Sequence, residues 1–521
     1  MITRCIIRKN AYYDSVFLMR VAKRISGQKG ILEAAALMGT EKNKELLSDI
    51  GMAGPEISSV RPNDLIIAIR AEDEEPLSAV FENIDHWLNE SQGQAGTIPC
   101  RTLEEALTHL PHSNLAVISV PGQYASREAR KALEHGLNVF LFSDNVSVED
   151  ELSLKGFARE KGLIVMGPDC GTAIINGIGV GFSNAVRRGP IGVIGSSGTG
   201  IQEFTTLVHH FGSGISHAIG TGSRDLSDAI GGITFLSSIE VLDSDRETRV
   251  IALLSKPPGP LALQNLIHRI IQCRKPIVTC FLGPKQDPDD ANLRYRKART
   301  LDDAASLAVQ IATNNPSPRL EDRSFKFQEL INRERIHKSP EQKYIRGIFA
   351  GGTFCYQAQQ ILQDAGIMVH SNLPLEGNSK LRSPLLSVEH TLIDMGSDEF
   401  TSGRPHPMID AGLRYERILA EAKDPQVSIL LLDFILGLNA SPDPAGELLP
   451  AIAEARGQTR KQGGSLSVIA SVCGTENDPQ NIQRQVKALE EAGVVVFSSS
   501  AKAARFCGFL VTGCPEESSV R

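Results

Sequence analysis

The chain contains no run approaching the ~20 uninterrupted apolar residues that a membrane helix requires. It has no Cys-x-x-Cys, and no histidine pair at zinc spacing accompanies its nine cysteines, so a metal site is not expected. Walker A, His-Glu-x-x-His and Gly-x-Ser-x-Gly patterns are all missing, which removes three common routes to catalysis. Positive charge is in short supply too: 54 basic against 61 acidic side chains leaves −7, a poor balance for binding nucleic acid. The opening MITRCIIRKNAYYDS has a short apolar patch broken by charges and no small-residue cleavage site, so no secretory signal is expected. Cysteines scattered through the chain fit thiols used as small core residues in a reducing compartment. The expected setting is the cytoplasm.

What is present is ordinary globular protein, with 41% hydrophobic and 22% charged residues. At 521 residues it exceeds a single core, and two to four domains are expected. Strand-like runs alternate with helical patterns, the mark of parallel α/β domains. They include LAVISV (115–120), NVFLFS (138–143), IGVIG (191–195), RVIALLS (249–255), YIRGIFA (344–350), HTLIDMG (390–396) and VSILLLDF (427–434). Arg187-Arg188 before Gly189-Pro190 is a turn signal, and the charged, proline-bounded stretch 314–342 reads as a linker with a surface helix. These breaks divide the chain into 1–188, 189–330 and 331–521.

Within the last two segments one unit occurs twice. Each has a strand, a glycine elbow, a helix closed by glycine (Gly212, Gly366), a Gly-Ser-acid element and a strand introduced by an acidic turn. The elbows are SSGTG (196–200) and AGGT (350–353). A glycine elbow presents bare N–H groups at a helix N-terminus, where anions bind. A single elbow is compatible with a dinucleotide, with an acyl phosphate or with a tight turn alone. A dinucleotide fold would end its second strand on an acid, whereas Asp225 here follows a glycine loop. Two elbows facing one cleft could hold a multiply charged phosphate without arginine, through Ser197, Gly198, Thr199 and Gly200 on one side and Gly351, Gly352 and Thr353 on the other.

Longer stretches carry a resemblance. SVPGQYASREARKALEHGLNVFLFSDNVSVEDE, KGLIVMGPDCGT and VIGSSGTGIQE resemble the α subunit of succinyl-CoA synthetase, over about 115–255. GGTFCYQ, IDMGSDEF, LDFILGLN and SVCGTENDP, over about 344–500, resemble the ligase domain of its β subunit. From end to end, with RDLSDAIGG, SKPPGP and GRPHPMID as further marks, the chain is similar to the FdrA/YahF family. The resemblance implies a CoA-binding-like Rossmann domain followed by two flavodoxin-like ligase domains. It implies an acyl-CoA synthetase, or carbamoyl transfer between carbamoyl phosphate and oxamate or a related ureido compound, performed with partner subunits and as a homo-oligomer.

Departures from the synthetase matter as much as matches. The glycine-rich CoA loop is replaced by RKNAYYDSVFLMR, so CoA stays possible without its usual loop. The CoA-contacting tripeptide falls on Phe142, Ser143 and Asp144. GPKQDPDD stands where the phosphohistidine motif should be, Lys256 replaces the glutamate that orients that histidine, and no ATP-grasp module is present. What survives is the phosphate clamp, with Lys256 as an added cation. The substrate-facing loop of the synthetase falls on Gly437, Leu438 and Asn439. In GRPHPMIDAGLR, Arg404 is a candidate carboxylate partner and His406 a candidate acid or base; Arg224 and Asp225 sit equivalently in the first repeat, as substrate contacts or an internal ion pair. Asp394 and Asp398 read as caps, and His209-His210 as a solvated pair. The expected activity is carbamoyl or acyl transfer from a phosphate to a small acceptor, with an acid–thiol ligase subunit and a non-catalytic scaffold as the other readings.

Overall fold

The computed structural model describes all residues except 12, 14, 90–99, 284–294, 316–326, 337, 402–403 and 514–521. It divides into two compact units, residues 1–113 with 398–410, and 114–397 with 411–521.

The first unit is built on antiparallel strands. Ile2–Arg8 and Ile31–Met38 both pair antiparallel with Leu65–Ala71, which lies between them. The central strand alternates as a strand buried on both faces should. Leu65, Ile67 and Ile69 pack with Phe17, Leu77 and Trp87 of helices Ser15–Ser26 and Glu74–Asn89. Ile66 and Ala68 turn the other way, onto Leu47, Met52 and Ile57. The segment 398–410 belongs to this unit, where Lys23 Nζ donates to the Ile409 carbonyl at 2.8 Å.

This corrects the expected Rossmann domain over 1–188. The parallel arrangement begins only at residue 115, with Leu115–Ile118, Asn138–Leu141 and Val165–Met166 side by side in chain order. Residue 188 is no boundary either, because the hairpin Thr172–Ile175/Ile178–Gly181 joins the next sheet through Ala218 and Ile174. Asn176 (φ 53°) and Gly177 (φ 79°) make its two-residue turn, for which an Asn-Gly pair is suited because both positions need positive φ.

The two remaining sheets repeat one design. In the first, the elbow strand Arg188–Gly195 lies between Val250–Ser255 and Ile215–Gly220. Beyond Val250–Ser255 come Ile277–Phe281 and then Tyr295–Lys297. In the second, the elbow strand Tyr344–Phe349 lies between Val427–Ile435 and Thr391–Asp394, with Ser467–Cys473 and Val495–Phe497 outward of the former. All of these pairings are parallel, and the nine residues of Val427–Ile435 are wholly buried, as two-sided coverage by helices demands. Helix Gly198–His210 follows the first elbow and Gly352–Asp364 the second, and both close on left-handed glycines, Gly212 and Gly366. The architecture is therefore α/β with parallel sheets, carrying an antiparallel unit at its start.

Candidate functional site

At the first elbow the strand ends at Gly195 and Ser197 becomes the N-cap of the helix. Its hydroxyl accepts from Gly200 N, as N-cap serines do. Gly198 and Thr199 are left at the first two helical positions, where N–H groups have no partner within the helix. A methyl group on Gly198 would stand 3.0 Å from Thr172 Oγ1. That hydroxyl is buried, its residue only 2% exposed, and it has no hydrogen-bond partner among the described residues. The rest of this elbow is held by neutral groups: Ser196 N donates to Leu254 O, and the Ser196 and Ser255 hydroxyls meet at 2.8 Å.

The second elbow is held by charge. Asp433, buried in the neighbouring strand, accepts from Ala350 N at 2.9 Å and Gly351 N at 2.7 Å. Arg414 in turn donates to Asp433 Oδ1 at 2.8 Å and to the Ile348 carbonyl at 3.0 Å. Burial pushes the Asp433 carboxyl up, and the arginine offsets part of that. The Gly351 N–H is therefore already taken, which removes it from the expected clamp. Gly352 faces another carboxylate: a side chain there would collide with Asp394 Oδ2. Asp394 ends the strand Thr391–Asp394, accepts from Gly396 N through Oδ1, and is raised by burial to about 6 against the opposing pull of Lys256.

The two elbows meet. The hydroxyls of Ser197 and Thr353 share a hydrogen bond, and a methyl group on Gly200 would stand 3.3 Å from the Thr353 methyl, a tight approach that glycine relieves. Lys256, half-buried after Val250–Ser255, lies 5.5 Å from the centre of the Tyr356 ring, on the second elbow's helix. One turn further along, each helix caps a helix beyond it. Glu203 accepts from Ser500 N at 2.6 Å, and Gln357 accepts from Leu301 N at 2.8 Å, both first residues of helices. Glu203 is raised by burial to about 7.

Other expected site residues have partners of their own or belong to the other compact unit. Asp225 is fully buried, accepts from Lys155 Nζ at 2.7 Å and from Phe235 N at 2.9 Å, and so caps the helix Ile233–Ser244. Arg224, with its side chain partly exposed, pairs with Glu151 at 2.9 Å and donates to the Val146 carbonyl at 2.8 Å. Gly437, Leu438 and Asn439 form a junction: Gly437 N donates to Gln480, Leu438 N to Ser183 O, and Asn439 Nδ2 to Gly181 O. Arg404 and His406 belong to the other compact unit, where Arg404 is exposed and His406 Nδ1 accepts from Met408 N. His209 is buried, contrary to the solvated reading, and meets Glu476 at 2.8 Å. The GPKQDPDD stretch lies outside the described residues after Gly283, so the missing histidine loop stands on sequence alone.

Thr172, Asp433 and Arg414 escaped attention in the sequence, and Asp394 was read there as a cap. Asp433 had a signal: a lone carboxylate inside the apolar run VSILLLDFI needs a partner. Among the described residues six cysteines are buried, and burial raises their thiols, Cys170 to about 12. Among the described residues no group of three or more His, Cys, Asp or Glu side chains is placed to hold a metal ion, and no helix is long and apolar enough to cross a membrane.

Residues 348–510 match the CoA-ligase family, and residues 1–99 match the family described as AllF, heavy metal-associated domain. The chain is 43% identical over 503 residues to the uncharacterized protein YahF of Escherichia coli K12, covering 96% of this chain and 97% of that one. It is 27% identical over 187 residues to the succinate–CoA ligase [ADP-forming] subunit alpha of Methanothermobacter thermautotrophicus, 35% of this chain and 62% of that subunit. Among solved structures, the dinucleotide-forming acetyl-coenzyme A synthetase 1 of Ca. Korarchaeum cryptofilum, in complex with phosphate and ADP, is similar at 17% identity and a TM-score of 0.30. That alignment covers 85% of this chain and 93% of the synthetase, a likeness too distant to support any argument about residues.

Proposed function

The chain belongs to the FdrA/YahF family, related to succinyl-CoA synthetase, and from that premise we propose that it transfers a carbamoyl or acyl group between its phosphate and a small acceptor such as oxamate or a ureido acid. The observation that carries this reading is the Ser197–Thr353 hydrogen bond, which joins the N-termini of two helices that arise far apart in the chain. Each terminus bears roughly half a positive charge. Gly198, Thr199, Gly352 and Thr353 supply the amides, Thr172 an uncommitted hydroxyl, and Lys256 a full charge nearby.

In such a pocket the acceptor's nucleophilic atom attacks the carbonyl carbon of the bound acyl phosphate. The new bond forms, the carbon–oxygen bond to phosphate breaks, and its electron pair leaves with the phosphate. Amides fixed before the reaction stabilise that departing charge without reorganising. The related proteins named as subunits support partner subunits or a homo-oligomer, and a cytoplasmic setting is part of the same proposal.

Titration calorimetry with carbamoyl phosphate, on the chain alone and with its partner subunits, tests the reading. Binding that Gly198→Glu abolishes is the expected outcome; absence of binding in both preparations overturns it. An acid–thiol ligase subunit is the second reading, favoured by the CoA-ligase match over 348–510. It requires acyl-dependent ADP formation that appears only when CoA is added.

A further inference from the structure

Asp394 is only 6% exposed, and its Oδ1 takes the Gly396 N–H. Its other oxygen, Oδ2, lies against Gly352 at the first position of the second elbow's helix and accepts no hydrogen bond from the described residues. A carboxylate is an unexpected neighbour for an anion pocket. The same place in the first repeat shows how easily it could have been avoided. Gly220 pairs with Gly195 there as Asp394 pairs with Phe349 here, so the equivalent strand end carries no side chain at all. An acid at the one elbow and none at the other calls for a reason beyond folding.

We propose that Asp394 is the proton carrier of the transfer, its Oδ2 taking the proton from an incoming N–H or S–H nucleophile as that atom attacks the carbonyl. The inference rests on the anion-pocket reading. In the forward step the nucleophile's lone pair makes the bond to carbon, its proton passes to Asp394 Oδ2, and the phosphate leaves with the carbon–oxygen pair. In the reverse step phosphate attacks, and protonated Asp394 returns the proton to the departing nitrogen or sulfur. Three groups face the carboxyl. They are Lys256 after the strand Val250–Ser255, Asp433 on the strand Val427–Ile435 with Arg414 behind it, and the Cys355 thiol on the elbow helix. Burial raises Asp394 to about 6, so both its forms are accessible near neutrality, as a group that gives and takes protons needs.

Sulfate is the probe that separates this role from the pocket itself, since it stays a dianion between roughly pH 5 and pH 8. For the full chain, sulfate affinity should fall as pH rises through about 6, because ionised Asp394 then repels the anion. A shift of one unit in Asp394 on binding corresponds to a fall of about tenfold. Asp394→Asn keeps an acceptor for Gly396 N and should bind sulfate with no such fall. With partner subunits present its kcat should drop by about 10²–10⁴-fold and lose the limb near that pH. Lys256→Met, which leaves Asp394 in place, should move the step to higher pH. Sulfate binding whose pH step survives in Asp394→Asn, or an unchanged kcat, overturns the role of Asp394 alone. No sulfate binding to the wild-type chain removes the pocket, and with it both readings.

Discussion

The two elbows are copies of one design that have been furnished oppositely. Around the first are hydroxyls and main-chain groups: Ser196 with Ser255, Ser197 as cap, Thr172 unpartnered. Around the second are carboxylates, Asp433 holding the loop and Asp394 at the first helical residue. The strand registers match at the elbow ends, where the two repeats differ in side chains. Neutral donors suit an anion that must arrive and leave, because they need no counter-charge when the site is empty. Buried carboxylates suit proton handling and rigidity, because burial lifts them toward neutrality. A symmetric pair of elbows was the expectation; the structure instead joins a neutral elbow and a charged one at Ser197 and Thr353.

The largest effect should come from breaking the charged end. Asp433→Ala strands Arg414 in a fully buried site and frees the Ala350 and Gly351 N–H groups. Removing one partner of a buried pair costs about 3–5 kcal/mol. Urea unfolding should show that loss, and a change under 1 kcal/mol would show that the elbow is not held by this pair. Next is a carboxylate buried in the helix packing of the first repeat. Glu203 caps Ser500, where the second repeat uses neutral Gln357 for the same task. Because burial raises Glu203 to about 7, the folded state binds its proton more tightly than the unfolded chain does. Stability should therefore be fullest below about pH 4.5, and fall by roughly 2–3 kcal/mol as pH rises to about 7. Glu203→Gln should flatten that slope in melts across pH, and a slope that persists would place the titration elsewhere.

Much of this comparison was legible in the sequence, and the parts that were not have physical causes. The strands of both repeats announce themselves as Val/Ile/Leu-rich runs, and the elbows as glycine-rich breaks between such a run and a helical pattern. The antiparallel start is harder to read. ILEAAALM is as good a helix as a strand by propensity, and the resemblance to the synthetase begins only near residue 115. Carrying its layout back over the first 113 residues put a Rossmann domain where a different unit stands. Among site residues, the elbow glycines follow from local backbone needs, which a sequence states directly. Arg414 depends on which strand lies beside the elbow, a long-range fact that the stretch GRPHPMIDAGLR does not state. Asp225 shows the same limit, since nothing local says that its partner is Lys155.

The neutral end gives subtler handles. Thr172→Val keeps the shape and removes a hydroxyl beside Gly198 that has no partner among the described residues. Losing an unsatisfied buried hydroxyl should leave stability unchanged or raise it by up to ~1 kcal/mol, while phosphate affinity falls about tenfold. Weaker binding and greater stability in one variant would mark a group kept for a ligand. Lower stability with unchanged affinity would mark a structural one.

Ser197→Ala is the mildest test and discriminates most finely between the elbows. The substitution removes the cap on Gly200 and the bridge to Thr353, whereas the second helix has Gly351 at its N-cap with no side chain to lose. Loss of an N-cap serine costs about 1 kcal/mol, which thermal melts can resolve. If the hydroxyl only caps, affinity for phosphate should follow stability and change little. If it also fixes the spacing of the two N-termini, affinity should fall more than the cap explains, and Ser197→Thr, which restores a hydroxyl, should recover both.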